Sequence, residues 1–286
     1  MRQSSAIKIA VFFFALGLAA GSVHAGSAMG DAVPKRIVSL SPVLTEELFL
    51  LGAGNSIVGR TRYCTKPSGA QKIEVVGNLT ELSVEKIVSL QPDLVLAILL
   101  TDPRAKQKIS ALGIRVEEFP DAADFKGACD SFLRLARIVH KEEEAALLVR
   151  KAQKEVDGIR RKAADEVSPS VFVEVGADPL VTMTKGSYFH DLITFSGGIN
   201  IAGDATRQLY SREKVLAQDP DVIIIVSMGF DGEKEKKAWQ SYRDLKAARQ
   251  GRIFMVDSDL FCAPTPLSFV EALKKIEKIL HEKRAA

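Results

Sequence analysis

Two segments of the chain repeat one pattern of apolar and polar positions. Residues 83–97 read SVEKIVSLQPDLVLA and residues 211–225 read SREKVLAQDPDVIII, 128 residues apart. Each runs from a Ser through Glu-Lys into an apolar stretch of helical spacing, then Pro-Asp, then an unbroken apolar run. Ser83 and Ser211 predict N-caps, and Glu85 and Glu213 lie in the first turn, where the helix dipole favours negative charge. Pro92 and Pro220 end the helices. Leu94–Ala97 and Val222–Val226 are continuous enough to be strands of a parallel sheet, buried on both faces. Two copies predict two similar α/β lobes.

The flanking pattern extends each copy. Ile37–Leu40 predicts a strand, and Pro42–Leu51 a helix stopped at Gly52, where a left-handed cap is easy. Ile57-Val58 and Ile114–Glu117 predict further strands, with a helix over 102–112 between them. In the second half, strands are predicted at Val171–Val175 and Ile253–Val256, and helices at Ser187–Phe195 and Pro266–Glu282. Strands alternating with helices predict an α/β fold with mostly parallel sheets. Residues 124–166 carry no strand signal, and from Lys141 to Glu166 good helix formers dominate. The expected architecture is two Rossmann-like lobes, 34–123 and 167–286, joined by a helical segment over 124–166 that contains a single long connecting helix. No heptad pattern is sustained along it, so the chain is expected to act as a monomer.

The N-terminus changes the setting. Arg2 and Lys8 precede an apolar run from Ile9 to Ala20, and Val23-His24-Ala25 places small residues where a signal peptidase reads. The run is shorter than the roughly 20 residues of a membrane span. Residues 1–25 are therefore expected to be a cleaved signal peptide and the product to be periplasmic. No Cys follows the run, which argues against a lipid anchor. Cleavage removes Arg2 and Lys8 and no acid, so the net charge falls by two, from +3 to +1. Near-neutrality argues against a nucleic-acid partner.

Templates for catalysis fail one after another. There is no phosphate loop, no GxGxxG after the first strand and no Gly-x-Ser-x-Gly elbow. His140, His190 and His281 are not paired at metal-ligand spacing. The acid clusters Glu46-Glu47 and Glu142–Glu144 read as solvated helix faces. What remains is a cleft between lobes, lined by loops at the C-terminal ends of parallel strands. Those loops offer Tyr63, Cys64, Leu79, Ile98–Leu100, Asp178–Val181 with Leu180, Tyr210, Met228–Phe230, Asp259, Phe261 and Cys262. The lining is mainly apolar and aromatic, which suits a bulky ligand better than a sugar or an amino acid.

RIVSLSPVLTEELFLLGAG (36–54), AQKIEVVGNLTELSVEKIVSLQPDLVLA (70–97), DPLVTMTKGSYFHDLITFSGGINIA (178–202) and the second repeat resemble the periplasmic solute-binding proteins that take cobalamin, ferric siderophores or haem. The resemblance covers nearly all of the chain beyond the signal peptide. It implies a non-enzymatic receptor without a cofactor of its own, serving an ABC importer: a permease dimer in the inner membrane with its ATPase. Tyr63 matches an aromatic that packs on the corrin in cobalamin-binding members, and Asp259 falls on a cleft carboxylate. Glu85 and Glu213 match two acids, one per lobe, that dock on permease arginines.

The chain departs from the cobalamin pattern where tryptophans give way to Leu79, Ile98 and Arg207, and where a cleft arginine gives way to Ala263 or a neighbour. Cobalamin or a related corrinoid is the expected cargo, with ferric siderophore or haem as the alternative. Arg62 or Arg207 would then meet anionic groups. Cys64 and Cys262 are expected to face the cleft from opposite lobes. Three readings stay open for them: a disulfide, thiolate ligation of a metal carried by the ligand (Cys64 above all), or small lining residues. From a different class, a two-lobed transferase using a nucleotide sugar competes. The export signal separates the two, because nucleotide donors are scarce outside the cytoplasm.

Overall fold

The computed structural model describes residues 32–281, except Thr80, Met228, Cys262, Ala263 and the Asp259 side chain. The expected signal peptide and two of the expected cleft positions, Asp259 and Cys262, thus lie wholly or partly outside the described residues. In chain order the first half holds β1 (Ile37–Ser39), α1 (Pro42–Leu50), β2 (Ile57–Thr61), β3 (Glu74–Gly77), α2 (Val84–Ser89), β4 (Leu94–Ile98), α3 (Pro103–Ala111) and β5 (Arg115–Phe119). Two helices follow, α4 (Phe125–Ile138) and α5 (Glu142–Ala163). The second half holds β6 (Ser170–Ala177), β7 (Leu180–Thr182), α6 (Tyr188–Phe195), β8 (Ile199–Asn200), α7 (Arg212–Gln218), β9 (Val222–Val226), α8 (Gly232–Gln240), α9 (Lys246–Arg249), β10 (Ile253–Val256), α10 (Ser258–Phe261) and α11 (Pro266–His281).

The first sheet is parallel throughout, in the order β3-β2-β1-β4-β5. The second runs β10-β9-β6-β7, with β8 also parallel to β6 and β7 antiparallel to it. The strand order β2-β1-β4-β5 therefore recurs as β8-β6-β9-β10, with the β7 hairpin as the added piece. The sequence repeat supplies the matched helix and strand in each. Ser83 Oγ accepts from the Lys86 amide at 3.2 Å and Ser211 Oγ from the Lys214 amide at 3.3 Å. Gln91 (φ 46°) and Asp219 (φ 42°) both turn left-handed just before the repeat's Pro-Asp. That conformation crowds Cβ against the backbone, so finding it twice at matched places marks a shared turn geometry.

Burial explains the strands. All five side chains of β9 are buried, and each such Val or Ile contributes about 1.5–3 kcal/mol relative to exposure. The helical stretch across 124–166 is broken at His140 (φ 54°), so it comprises two helices. One continuous core runs from Ile37, Leu44 and Leu48 through Phe125, Phe132 and Val149 to Val171, Phe189, Phe269 and Leu280. The α4–α5–α11 layer carries that core from one sheet to the other. Phe125 and Phe269 stack with centroids 4.6 Å apart. The Phe125 amide donates to Asp191 Oδ2 on α6 at 2.9 Å, and Lys162 and Lys274 pair with Glu277 and Glu155 between α5 and α11.

Candidate functional site

Because every strand of the first sheet points the same way, the loops after β1 to β5 leave from one edge. Ser41, Tyr63, Leu79, Leu99-Leu100 and Pro120-Asp121 are brought to that edge. The loops after β6, β9 and β10 leave the matching edge of the second sheet. A cavity of about 370 Å³ lies where contributions from the two halves meet. Leu44 and Glu47 on α1, Ile98 at the end of β4, Leu100 beyond it, and Phe119 at the end of β5 wall it from one side. Met183, Tyr188 and Phe189, with Pro264, wall it from the other. Tyr188 is fixed by donating its hydroxyl to the Phe261 carbonyl. At the β1–α1 turn, Pro42 opens the helix and the Thr45 hydroxyl donates to the Ser41 carbonyl at 2.8 Å.

The residues singled out from the sequence separate into two groups. Ile98 lines the cavity. Tyr63, at 56% exposure, Leu99 and Leu100 stand open to solvent on the same sheet edge, and Leu79 is half-buried there. Five others are corrected. Cys64 is fully buried (0%) and free; its Sγ lies 3.2 Å from Thr61 Oγ1 and 4.0 Å from the Ser39 carbonyl. A tight turn, with the Cys64 amide donating to the Thr61 carbonyl, carries the thiol into the buried space between Thr61 and Ser39. Fully buried there, it is not open to ligate a metal on a ligand. Leu180 is buried in the core of the second sheet, and Phe261 is fully buried and stacked on Phe189 at 6.2 Å. Tyr210 packs on Phe172 and hydrogen-bonds Gln218 at 2.6 Å. Phe230 is half-buried against the core of the second sheet.

A further correction concerns the acids of α1. Glu47, expected on a solvated face, is 1% exposed, and its Oε2 is buried with no hydrogen-bond partner. Helix α1 is wedged between the first sheet and α4, so little of its surface is left for solvent. Burial, reinforced by the neighbouring Glu46, holds the Glu47 carboxyl well above the ordinary carboxylate range. Glu142–Glu144 are exposed as expected. Applying the strand-end rule to β1 and β5 as well would have found Ser41 and Phe119–Asp121. Met183 and Tyr188 follow the antiparallel β7, which carried no recognised strand signal.

Residues 37–260 match the family described as periplasmic binding protein. The chain belongs to the periplasmic binding protein family. It is 33% identical over 207 residues to a vitamin B12-binding protein of Salmonella typhimurium, covering 71% of this chain and 77% of that protein. It is 29% identical over 258 residues to an uncharacterised ABC transporter substrate-binding lipoprotein of Bacillus subtilis, covering 87% and 80%. Among solved structures, the apo periplasmic haem-binding protein of a Roseiflexus species superposes with a TM-score of 0.76 at 25% identity, over 87% of this chain and 98% of that one. The periplasmic vitamin B12-binding protein of Vibrio cholerae does so with 0.73 at 24%, over 86% and 96%, a likeness of fold. Members of this family are non-enzymatic transport components, so this periplasmic binding protein is a solute-binding protein and not an enzyme. Among its described residues no helix is long and apolar enough to cross a membrane.

Glu85 and Glu213 occupy matched places in this family member. Each lies in the first turn of a short helix that starts from the C-terminal edge of its sheet, and each is exposed.

Proposed function

We propose that the protein is the periplasmic receptor of an ABC importer, capturing a corrinoid between the two sheets and handing it to the permease. The observation that carries this reading is the largely apolar cavity at the meeting of the two sheet edges. Its volume of about 370 Å³ holds one edge of a corrinoid, and the remainder lies against the open apolar rim of Tyr63, Leu99 and Leu100. The similarity to vitamin B12-binding proteins supports the same cargo. Glu85 and Glu213 are the docking prongs: matched, exposed carboxylates, one per half, suit a symmetric permease dimer. On the same reading residues 1–25 are a cleaved export signal, and the product acts in the periplasm as a monomer.

The test is calorimetric titration of residues 26–286 with cyanocobalamin, haemin and a ferric siderophore in turn. One-to-one binding of cyanocobalamin in preference to the others is expected. Binding of haemin or the siderophore without cyanocobalamin would reassign the cargo and keep the receptor role.

A further inference from the structure

Glu47 is an unusual wall for an apolar cavity. Its carboxyl is buried, one oxygen has no partner, and no Lys, Arg or His stands among the described residues lining the space. Among the described residues, its charged and titratable surroundings offer no counter-ion. Glu46 sits beside it on α1, the Cys129 thiol faces it from α4, and Asp121 lines the same cavity beyond β5. On β2, Arg60 spends its guanidinium on the carbonyls of Ala70, Thr61 and Gln71. Lys66 and Glu271 act on Glu46. From the second half, the Tyr188 hydroxyl is taken by Phe261.

We propose that this cavity is a subsite for a neutral carboxamide arm of the ligand, anchored on the Glu47 carboxyl. The inference rests on the reading of the chain as a solute receptor and adds what the base of its cleft recognises. A protonated carboxyl and a primary amide are complementary: the acid O–H donates to the amide carbonyl and the amide N–H donates to the acid carbonyl. Burial favours the protonated form of Glu47 that this needs. A carboxylate arm would meet Glu47 and Asp121 with no cation among the described lining residues to balance them. An ammonium arm would require Glu47 to ionise in an apolar space, stripping water from two ions. The amide gives the buried Glu47 oxygen a partner that no protein group supplies, since buried polar groups are otherwise nearly always paired.

The test uses propionamide as the probe, with glutamate carboxyls labelled with 13C and the Glu47 resonance assigned by its loss in E47Q. Propionamide is expected to move that resonance saturably and to raise its titration midpoint. An unmoved resonance, or one that propylammonium or propionate moves at lower concentration, overturns the subsite. Cyanocobalamin calorimetry on wild type, E47Q and E47L separates the subsite from the cargo. E47L should weaken binding about tenfold, and wild-type affinity should fall as pH rises through the Glu47 titration while E47Q stays flat. Cyanocobalamin binding that E47L leaves within twofold rejects the subsite and keeps the cargo. Propionamide binding without cyanocobalamin binding rejects the cargo and keeps the subsite.

Discussion

Replacing Glu47 by leucine should make the ligand-free protein more stable. The wild-type side chain is 1% exposed with a buried, unpartnered oxygen, and an unsatisfied buried polar group costs about 1–3 kcal/mol. Leucine removes that cost, keeps α1 helical and packs beside Leu44 and Phe119 in the same wall. For a chain of this size each kcal/mol moves Tm by about 2–4 °C, so E47L should melt roughly 2–12 °C higher at neutral pH. The gain has a pH signature. In the unfolded chain Glu47 ionises near 4.5, whereas burial keeps it protonated in the fold to a much higher pH. Folding through this group is therefore most favourable below pH 4.5 and weakens as pH rises towards the folded value. Leucine does not titrate, so the difference between the proteins should widen from pH 4 to pH 8. Thermal melts of both proteins at pH 4, 6 and 8, subtracted pairwise, isolate this group from every other titration. An E47L protein less stable than wild type, or a difference that ignores pH, would refute the reasoning.

Other expectations follow from the same geometry. D191A removes the acceptor of the Phe125 amide at the start of α4 and should cost about 1.5–3 kcal/mol in urea unfolding; a change under 0.5 kcal/mol would show that the bond contributes nothing. Glu174 is buried beside Trp239, whose Nε1 donates to it at 2.5 Å, and burial raises its carboxyl to about 7. Wild-type stability should therefore decline between pH 4.5 and 7, by an amount on the order of 3 kcal/mol that E174Q abolishes. With Cys64 and Cys129 buried, and burial pushing the Cys129 thiol up to about 12, Ellman's reagent should titrate at most one thiol in the native chain and three after unfolding. E85K/E213K should abolish uptake with ligand affinity unchanged; normal uptake by that variant would remove both residues from the docking role.

Where burial and period agreed, the sequence was readable. The apolar runs of β4 and β9, the caps at Ser83 and Ser211 and the stop at Gly52 (φ 73°) are local signals with local causes. β3, β7 and β8 were missed because Glu74–Gly77 is half-polar and β7 and β8 span only three and two residues. The site was less legible for a different reason. Loops at strand ends can be named from sequence, but whether a side chain turns outward is decided by packing several elements away. Cys64 and Phe261 turned into the core, and Glu47 turned into the cavity. A Glu-Glu pair on a helix reads as a wet face until α4 is packed against it.

The hydrophobic core that runs along α4, α5 and α11 has a mechanical meaning for transport. A receptor with a loose waist can tell its importer that it is loaded by changing the distance between its halves. Here the waist is itself core, so under the docking proposal Glu85 and Glu213 would be held at one gauge whether the cleft is full or empty. The plug would then fit its socket in either state, and news of the cargo would have to reach the membrane through the cargo itself.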